Sequence, residues 1–461
     1  MKNIDTKTLI IILLLAGLLL VTPYFIRIWS GNPYIINSES YNNIRLLNSA
    51  HGAYYDALQN RHVSINILYL LPDSYSFFVS RILPLLLGIG SVILSFFVLK
   101  KYNMNIKNIM AILFLLIVSP IFMYTFSDFN SYAITIFISL LIVHLILEDK
   151  TLIGGIIFCI LPFIDIYGAV ISFIFICIYI FSHSKIIKSR GIFIIVAVAS
   201  VIISIMCNYF LGYNVFVHMP FEKSNILTDI GANIGYSFSS IILSIIGLVL
   251  LWEKGLRNLA IYSSVIILLV LSAFNTFLRI YLNSLLVIYA GFAFMYLMRR
   301  KWSIQVIKRV TILLIICSIL FSTLVYTTNL VKSKPNPDYV DALSFIKTHS
   351  LTQESVLSTE DNGYMIEYFA QRNAYIDQKT SSQEKYKLLE FDTILMSRNL
   401  ARTEGLLNKN NIRYIFMDAD FKQQLEEKQG LLLLIQTSNK FQQVYKNDNA
   451  EVWMYIPGTG S

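Results

Sequence analysis

The stretch "LIIILLLAGLLLVTPYFIRIWSGNPYIINSESYNNIRLLNSA", residues 9–50, decides the fold. Its first half stays apolar for about the 20 residues that a helix needs to cross a hydrocarbon core. Its second half is a polar loop carrying Glu39 and Arg45. No small-residue cleavage site follows the apolar run, which continues directly into "IRIWSGNPY", so it reads as a retained span and not a signal peptide. The pattern recurs along a chain of 461 residues that is 56% hydrophobic, only 14% charged and of mean hydropathy +0.61. Inside lipid every backbone polar group must be satisfied internally, so repeated long apolar runs mean a helical bundle. The alternation that a membrane barrel requires is absent from the sequence.

Hydropathy predicts a polytopic α-helical membrane protein with about eleven transmembrane helices and a C-terminal extracytoplasmic α/β domain. The expected spans lie near 8–29, 76–99, 106–126, 131–147, 152–165, 167–183, 191–213, 235–252, 258–274, 278–298 and 305–328. The stretch 152–181 reads either as one long helix or as two broken near Pro162 and Asp165; the charge pattern favours two. Threading the spans alternately puts sixteen Lys and Arg on one side and six on the other before residue 332. The positive-inside rule then places the N-terminus in the cytoplasm and the C-terminal segment outside a plasma membrane. The expected organisation is a membrane domain over 1–331 with a long first external loop (30–75), a soluble domain over 332–457 and a non-native tail over 458–461.

The net charge of +9 divides into 22 basic against 11 acidic residues before 332 (+11) and 15 against 17 from there on (−2). The excess is topogenic, and no nucleic-acid partner is expected. All four cysteines lie in apolar runs, so disulfides are not expected outside the membrane. In the outer domain, "SVLST" and "NNIRYIFMDAD" read as strands, "FQQVYKNDNAEVWMYI" as a strand pair across a polar turn, and the "DYVDALSFIKTHS" and "EKYKLLEFDTILMSRNLARTEGLLNK" segments as helices.

Ionisable groups collect at the outer ends of the spans. They are Glu39 and Arg45 in the first loop, Arg81, Asp128, Asp165, then Glu222, Lys223 and Asp229 before the eighth span, and Arg279 at the start of the tenth. Charge at membrane depth is costly and marks a site by default. Carboxylates from separate loops suit one Mg²⁺ or Mn²⁺ through hard oxygen ligands, and arginine suits a lipid phosphate. That set points to Glu39 and Asp128 as catalytic metal ligands with Asp165 beside them, to Arg279, Arg45 and Arg81 as phosphate-binding groups, and to Glu222, Lys223 and Asp229 as a loop over the acceptor. Each has a plainer reading: the arginines snorkel to headgroups, Asp128 and Asp165 cap helices, and Glu39 is a solvated loop residue. The six histidines show no metal spacing, and no phosphate-binding loop or nucleophile elbow is present.

Two motifs carry a family resemblance. "NSESYNNIRL" resembles the first external loop of oligosaccharyltransferase catalytic subunits, with Glu39 at the metal-carboxylate position and Arg45 at the following arginine. "SVLSTEDNGYMIEYFAQRNAYID" resembles that family's Trp-Trp-Asp-Tyr-Gly segment and its sequel, with Ser358, Asp361, Gly363, Tyr364, Ile366, Arg372 and Asp377 in step. "SPIFMYTFSDFNSY" and "FLRIYLNSLLVIYAG" echo its second acidic motif and its arginine-led late helix. The resemblance has an archaeal flavour. It implies a GT-C glycosyltransferase that moves a sugar from a polyprenyl-phosphate or polyprenyl-diphosphate donor to a protein, glycan or lipid acceptor outside the membrane, with Asp361 and Tyr364 on the acceptor side. Thr359 and Glu360 stand where the family has Trp-Trp, so sequon recognition does not carry over. A non-catalytic binder of lipid-linked saccharide is the alternative, followed by a transporter, which would place its charges at the midplane and show paired repeats.

Overall fold

The computed structural model describes residues 2–38, 40–42, 44, 73–102, 104–182, 190–210, 226–230, 234–252, 256–273, 276–377 and 385–457. Their contacts divide the chain into two compact units, one of residues 1–26 and 47–332 and the other of 27–46 and 333–461. The start of the first external loop therefore groups with the C-terminal part of the chain.

The first unit has a polytopic helical membrane fold. Helix is present in every segment where hydropathy places a span: α1 (Lys2–Trp29), α2 (Asp73–Lys101), α3 (Ile106–Ile117), α4 (Pro120–Ser127), α5 (Ser131–Leu147), α6 (Thr151–Phe158), α7 (Leu161–Ile164), α8 (Ile166–Ser182), α9 (Arg190–Phe210), α10 (Phe238–Leu250), α11 (Leu256–Leu271), α12 (Thr276–Arg299) and α13 (Gln305–Lys332). Four helices among the described residues are long and apolar enough to cross a membrane, or five if the bent pair α3 and α4 counts as one span. The 152–181 stretch is broken at 159–160 and again at Asp165.

The α3–α4 break explains itself chemically. Pro120 has no N–H to continue α3, and the two helices meet at 62°. The Val118 carbonyl near the break accepts the Thr323 hydroxyl of α13 at 2.5 Å, and the Ser119 hydroxyl donates to Asn283 Oδ1 of α12 at 2.9 Å. Neighbouring helices thus satisfy polar groups that lipid would leave bare. Small residues bring α10 and α12 together: Ser244 donates to the Leu286 carbonyl at 2.8 Å, and Gly247 lies against the backbone of Tyr289.

The second unit is a five-stranded mixed sheet of order β2-β1-β3-β5-β4, with β1 (Ser355–Leu357) parallel to β2 (Asn373–Ala374) and to β3 (Ile412–Asp418), and β3, β5 (Ala450–Tyr455) and β4 (Phe441–Lys446) antiparallel. α14 (Pro337–His349) is capped by Asn336, which accepts the Tyr339 N–H at 2.8 Å, and it buries Tyr339, Leu343 and Ile346 at helical spacing. Leu357, Phe391, Ile394, Leu407, Ile415, Phe421, Leu425 and Leu431 belong to one core that joins β1 and β3 to α16 (Lys385–Met396), α17 (Leu400–Lys409), α18 (Ala419–Lys428) and α19 (Leu431–Thr437).

This unit carries a legible acid response at Glu390. Lys409, Asn410 and Tyr375 all donate to the Glu390 carboxylate, at 2.6 Å for Lys409, and hold its pKa below the ordinary value with Lys409 as the main cause. A depressed carboxylate pKa contributes stability above the unfolded value, and that stability is lost as pH falls through the folded one. Glu390→Gln is therefore expected to lower thermal stability at pH 7 and to flatten its acid limb below roughly pH 4.3, the unfolded glutamate value, so that variant and parent converge as pH falls. Calorimetry of parent and variant across pH checks this.

Candidate functional site

Asp128 ends the short helix α4 in an extended conformation (φ −107°, ψ 148°) and is 1% exposed. The turn around it is fastened on three sides. Tyr24 donates to the Ser127 carbonyl at 2.6 Å, the Asn130 N–H bonds the Asp128 carbonyl at 3.1 Å, and the Asn130 side chain caps α5 by accepting the Ala133 N–H at 2.9 Å while donating to the Thr125 carbonyl. A buried carboxylate is thus held by a broken helix, a tyrosine from α1 and an asparagine two residues on. A small pocket of about 20 Å³ flanks α4 and mixes Ser91, Ser95, Thr125, Asn283 and Ser284 with apolar carbons.

Asp165 and Asp229 make bonds that hold helix ends. Asp165 lies between α7 and α8, where it accepts the Gly168 N–H at 3.0 Å, as a helix cap does, and the phenol of Tyr281 from α12. Asp229 sits in a short 3₁₀ turn, Thr228–Ile230; it accepts the Phe238 N–H at 2.8 Å at the start of α10 and the Ser322 hydroxyl of α13. Asp128, Asp165 and Asp229 do not converge: among the described residues no three of His, Cys, Asp and Glu form a group able to hold a metal. Glu39, Arg45, Glu222 and Lys223 lie outside the described residues.

Arg279, 1% exposed, donates from its guanidinium to three backbone carbonyls. Nε donates to the Ser272 carbonyl at 2.7 Å, Nη1 to Ile234 at 2.5 Å and Nη2 to Ala273 at 3.5 Å, while the Tyr236 hydroxyl returns a bond to the Arg279 carbonyl. It ties the residues before α10 and the chain after α11 to α12. Arg81 is half-buried on α2.

In the second unit, α15 (Glu360–Met365) exposes Asp361 and buries Tyr364. Asn362, fully buried, donates to Ser358 at 2.9 Å and to Asp418 Oδ2 at 3.0 Å. Asp418 also caps α18 through the Phe421 N–H and pairs with Lys334, which reaches Asp420 at 2.5 Å. Burial alone would lower the Lys334 pKa, but the two aspartates outweigh it and raise it. Gly363 is required by a close approach: a Cβ there would lie 2.6 Å from Asp377 Cβ and 2.7 Å from the Ile376 carbonyl. Arg372 donates to the carbonyls of Lys347 and Ser350, at 2.8 and 2.6 Å, closing the end of α14. Ser358, Gly363 and Arg372 of the second motif thus work within the fold of this unit.

The sequence reading missed several of these partners. Asn130 is readable in "SDFNS" as a cap before an apolar run. Tyr281 for Asp165 and Ser322 for Asp229 lie 116 and 93 residues away and leave no local signal.

The fold is similar to that of several solved membrane sugar transferases. The chain is similar to archaeal oligosaccharyltransferase AglB from Archaeoglobus fulgidus, solved with an inhibitory peptide and a dolichol-phosphate (TM-score 0.61, 11% identity, 91% of this chain and 70% of that one). It is similar to ArnT from Cupriavidus metallidurans bound to undecaprenyl phosphate (0.56, 10%, 98% and 99%) and to the arabinofuranosyltransferase AftD from mycobacteria (0.57, 12%, 98% and 42%). No protein-family model matches the chain, and no curated protein matches it in sequence.

Proposed function

We propose that the chain is a membrane glycosyltransferase that moves a sugar from a polyprenyl-phosphate-type carrier to an acceptor on the outer face. The single observation that carries this reading is the buried Asp128, held at the end of a broken helix in a fold shared with proteins solved with dolichol-phosphate and undecaprenyl phosphate. Breaking the bond from sugar to lipid phosphate leaves negative charge on the phosphate, which a cation beside it stabilises. Asp128 and Glu39 are the proposed Mg²⁺ or Mn²⁺ ligands. Asp165 and Asp229 serve the helix ends they cap, and Arg279 shapes the chain around α10 and α12. Asp361, exposed on α15, is proposed to face the acceptor. The charge asymmetry of the loops supports a cytoplasmic N-terminus, eleven spans and an outer C-terminal domain.

The test is a panel of polyprenyl-phosphate and polyprenyl-diphosphate sugars offered to the chain in proteoliposomes, with free lipid phosphate as the product measured. Release that requires Mg²⁺ or Mn²⁺ supports the reading. Tight binding of the lipid-linked sugar without release establishes the non-catalytic alternative, which the Thr359-Glu360 substitution in the second motif favours.

A further inference from the structure

Residues 34–38, 40–42 and 44 of the first loop belong to the second unit. The phenol of Tyr41, a residue with no exposed surface, accepts the Ile35 N–H at 2.8 Å, while its ring contacts Tyr368 and Phe369 at centroid distances of 5.1 and 5.0 Å. Tyr34 packs edge-on against Phe369 at 5.6 Å, and Tyr368 and Phe369 contact each other at 4.9 Å. The receiving segment, Ile366–Ala370, is a π-helical turn that directly follows α15. Such turns are rare and collect at functional sites, because the extra residue re-aims side chains that a regular helix would send elsewhere. Around the ring cluster Ile35, Ile36, Ser38, Ser40, Asn42 and Ile44 are all buried. Arg27, 1% exposed, adds a second fastening by donating to the Ser333 and Pro335 carbonyls at 2.6 and 2.8 Å.

We infer that Tyr41, gripped by Tyr368 and Phe369, is a positioning residue that fixes residues 34–38 and 40–42 of the first loop against the π-helical turn that follows the helix holding Asp361. The inference rests on the proposed role of Glu39. Ser38 and Ser40 flank that position in sequence and both are buried, so a loop of otherwise polar composition is anchored here by aromatic contact. Stacked and edge-on rings are directional, so the clasp sets orientation as well as attachment.

Two readouts on the full chain in detergent or proteoliposomes test it. The first is amide hydrogen exchange. Tyr41→Leu and Phe369→Leu are each expected to speed exchange over 32–42 while β3 and β5 keep parental protection; unchanged exchange over 32–42 overturns the clasp. The second is turnover of whichever polyprenyl-phosphate sugar the parent consumes. A small displacement of a reacting group is expected to lower kcat roughly 10-fold or more in either variant with KM for the donor within about 2-fold. The double variant should be no worse than the poorer single one, because the two residues act through one contact. Tyr41→Phe keeps the ring and should stay within about 3-fold of the parent. Losses that multiply in the double variant, or a kcat equal to the parent's in both single variants, overturn the positioning role. If the parent turns over no donor, exchange alone decides the clasp and the glycosyltransfer reading falls separately.

Discussion

Asp128→Asn is expected to reduce sugar release from the lipid donor by roughly 100-fold or more, the scale on which removing one preorganised electrostatic partner acts, while the chain stays folded. Asparagine is nearly isosteric, and the bonds that fasten the turn involve the backbone of Ser127 and Asp128 and the side chain of Asn130, so the local geometry survives. What disappears is a formal charge. Asp165→Asn makes the contrast: an amide oxygen can still accept the Gly168 N–H and the Tyr281 phenol, so turnover should stay within about 5-fold of the parent, as for a residue acting only through packing. Equal losses in the two variants would remove the distinction drawn between a reacting carboxylate and a capping one. The measurement is free polyprenyl phosphate formed per folded protein, with the folded fraction read by size-exclusion chromatography.

Gly247→Ala is expected to destabilise the membrane unit even though alanine is the better helix former. The propensity gain is about 1 kcal/mol. Against it, a Cβ at 247 would overlap the carbonyl carbon and oxygen of Tyr289 and lie 3.0 Å from its Cα. Those are backbone atoms of α12, with no rotamer to escape into, so α10 must move away and the Ser244 bond to Leu286 goes with it. Overpacking of this kind costs about 3 kcal/mol or more, which outweighs the propensity gain. Thermal melting in detergent should show a Tm lower by several degrees or a loss of monodisperse protein; a Tm at or above the parent's would mean α10 and α12 do not pack this closely.

Helix existence was legible because it depends on local apolar length. Runs such as 8–29 and 305–328 announce α1 and α13, and Pro162 and Asp165 mark the interruption of 152–181, whereas 106–126 reads as one span and hides the break at Pro120. The strand pair 441–446 and 450–455 was legible from alternation on either side of "NDN". The π-helical turn Ile366–Ala370 was not, since its apolar residues suit an ordinary helix end. The site was legible as residue types and not as partnerships. A lone arginine on a lipid-facing sequence looks the same whether it meets phosphate or, like Arg279, three backbone carbonyls. The partners of Asp165 and Asp229 were hidden because the hydroxyls that bond them come from α12 and α13, more than 90 residues on. Tyr41 was visible in "SESYNN", but its acceptor rings lie beyond residue 360.

The most direct measurement is an anomalous difference map of the chain crystallised with Mn²⁺ and polyprenyl phosphate. The account predicts a manganese peak about 2 Å from an Asp128 carboxylate oxygen, the distance of a directly bound small divalent ion, with the lipid phosphate as a neighbouring ligand. A phosphate seated without a metal, or a manganese peak on other residues with Asp128 bare, would contradict it.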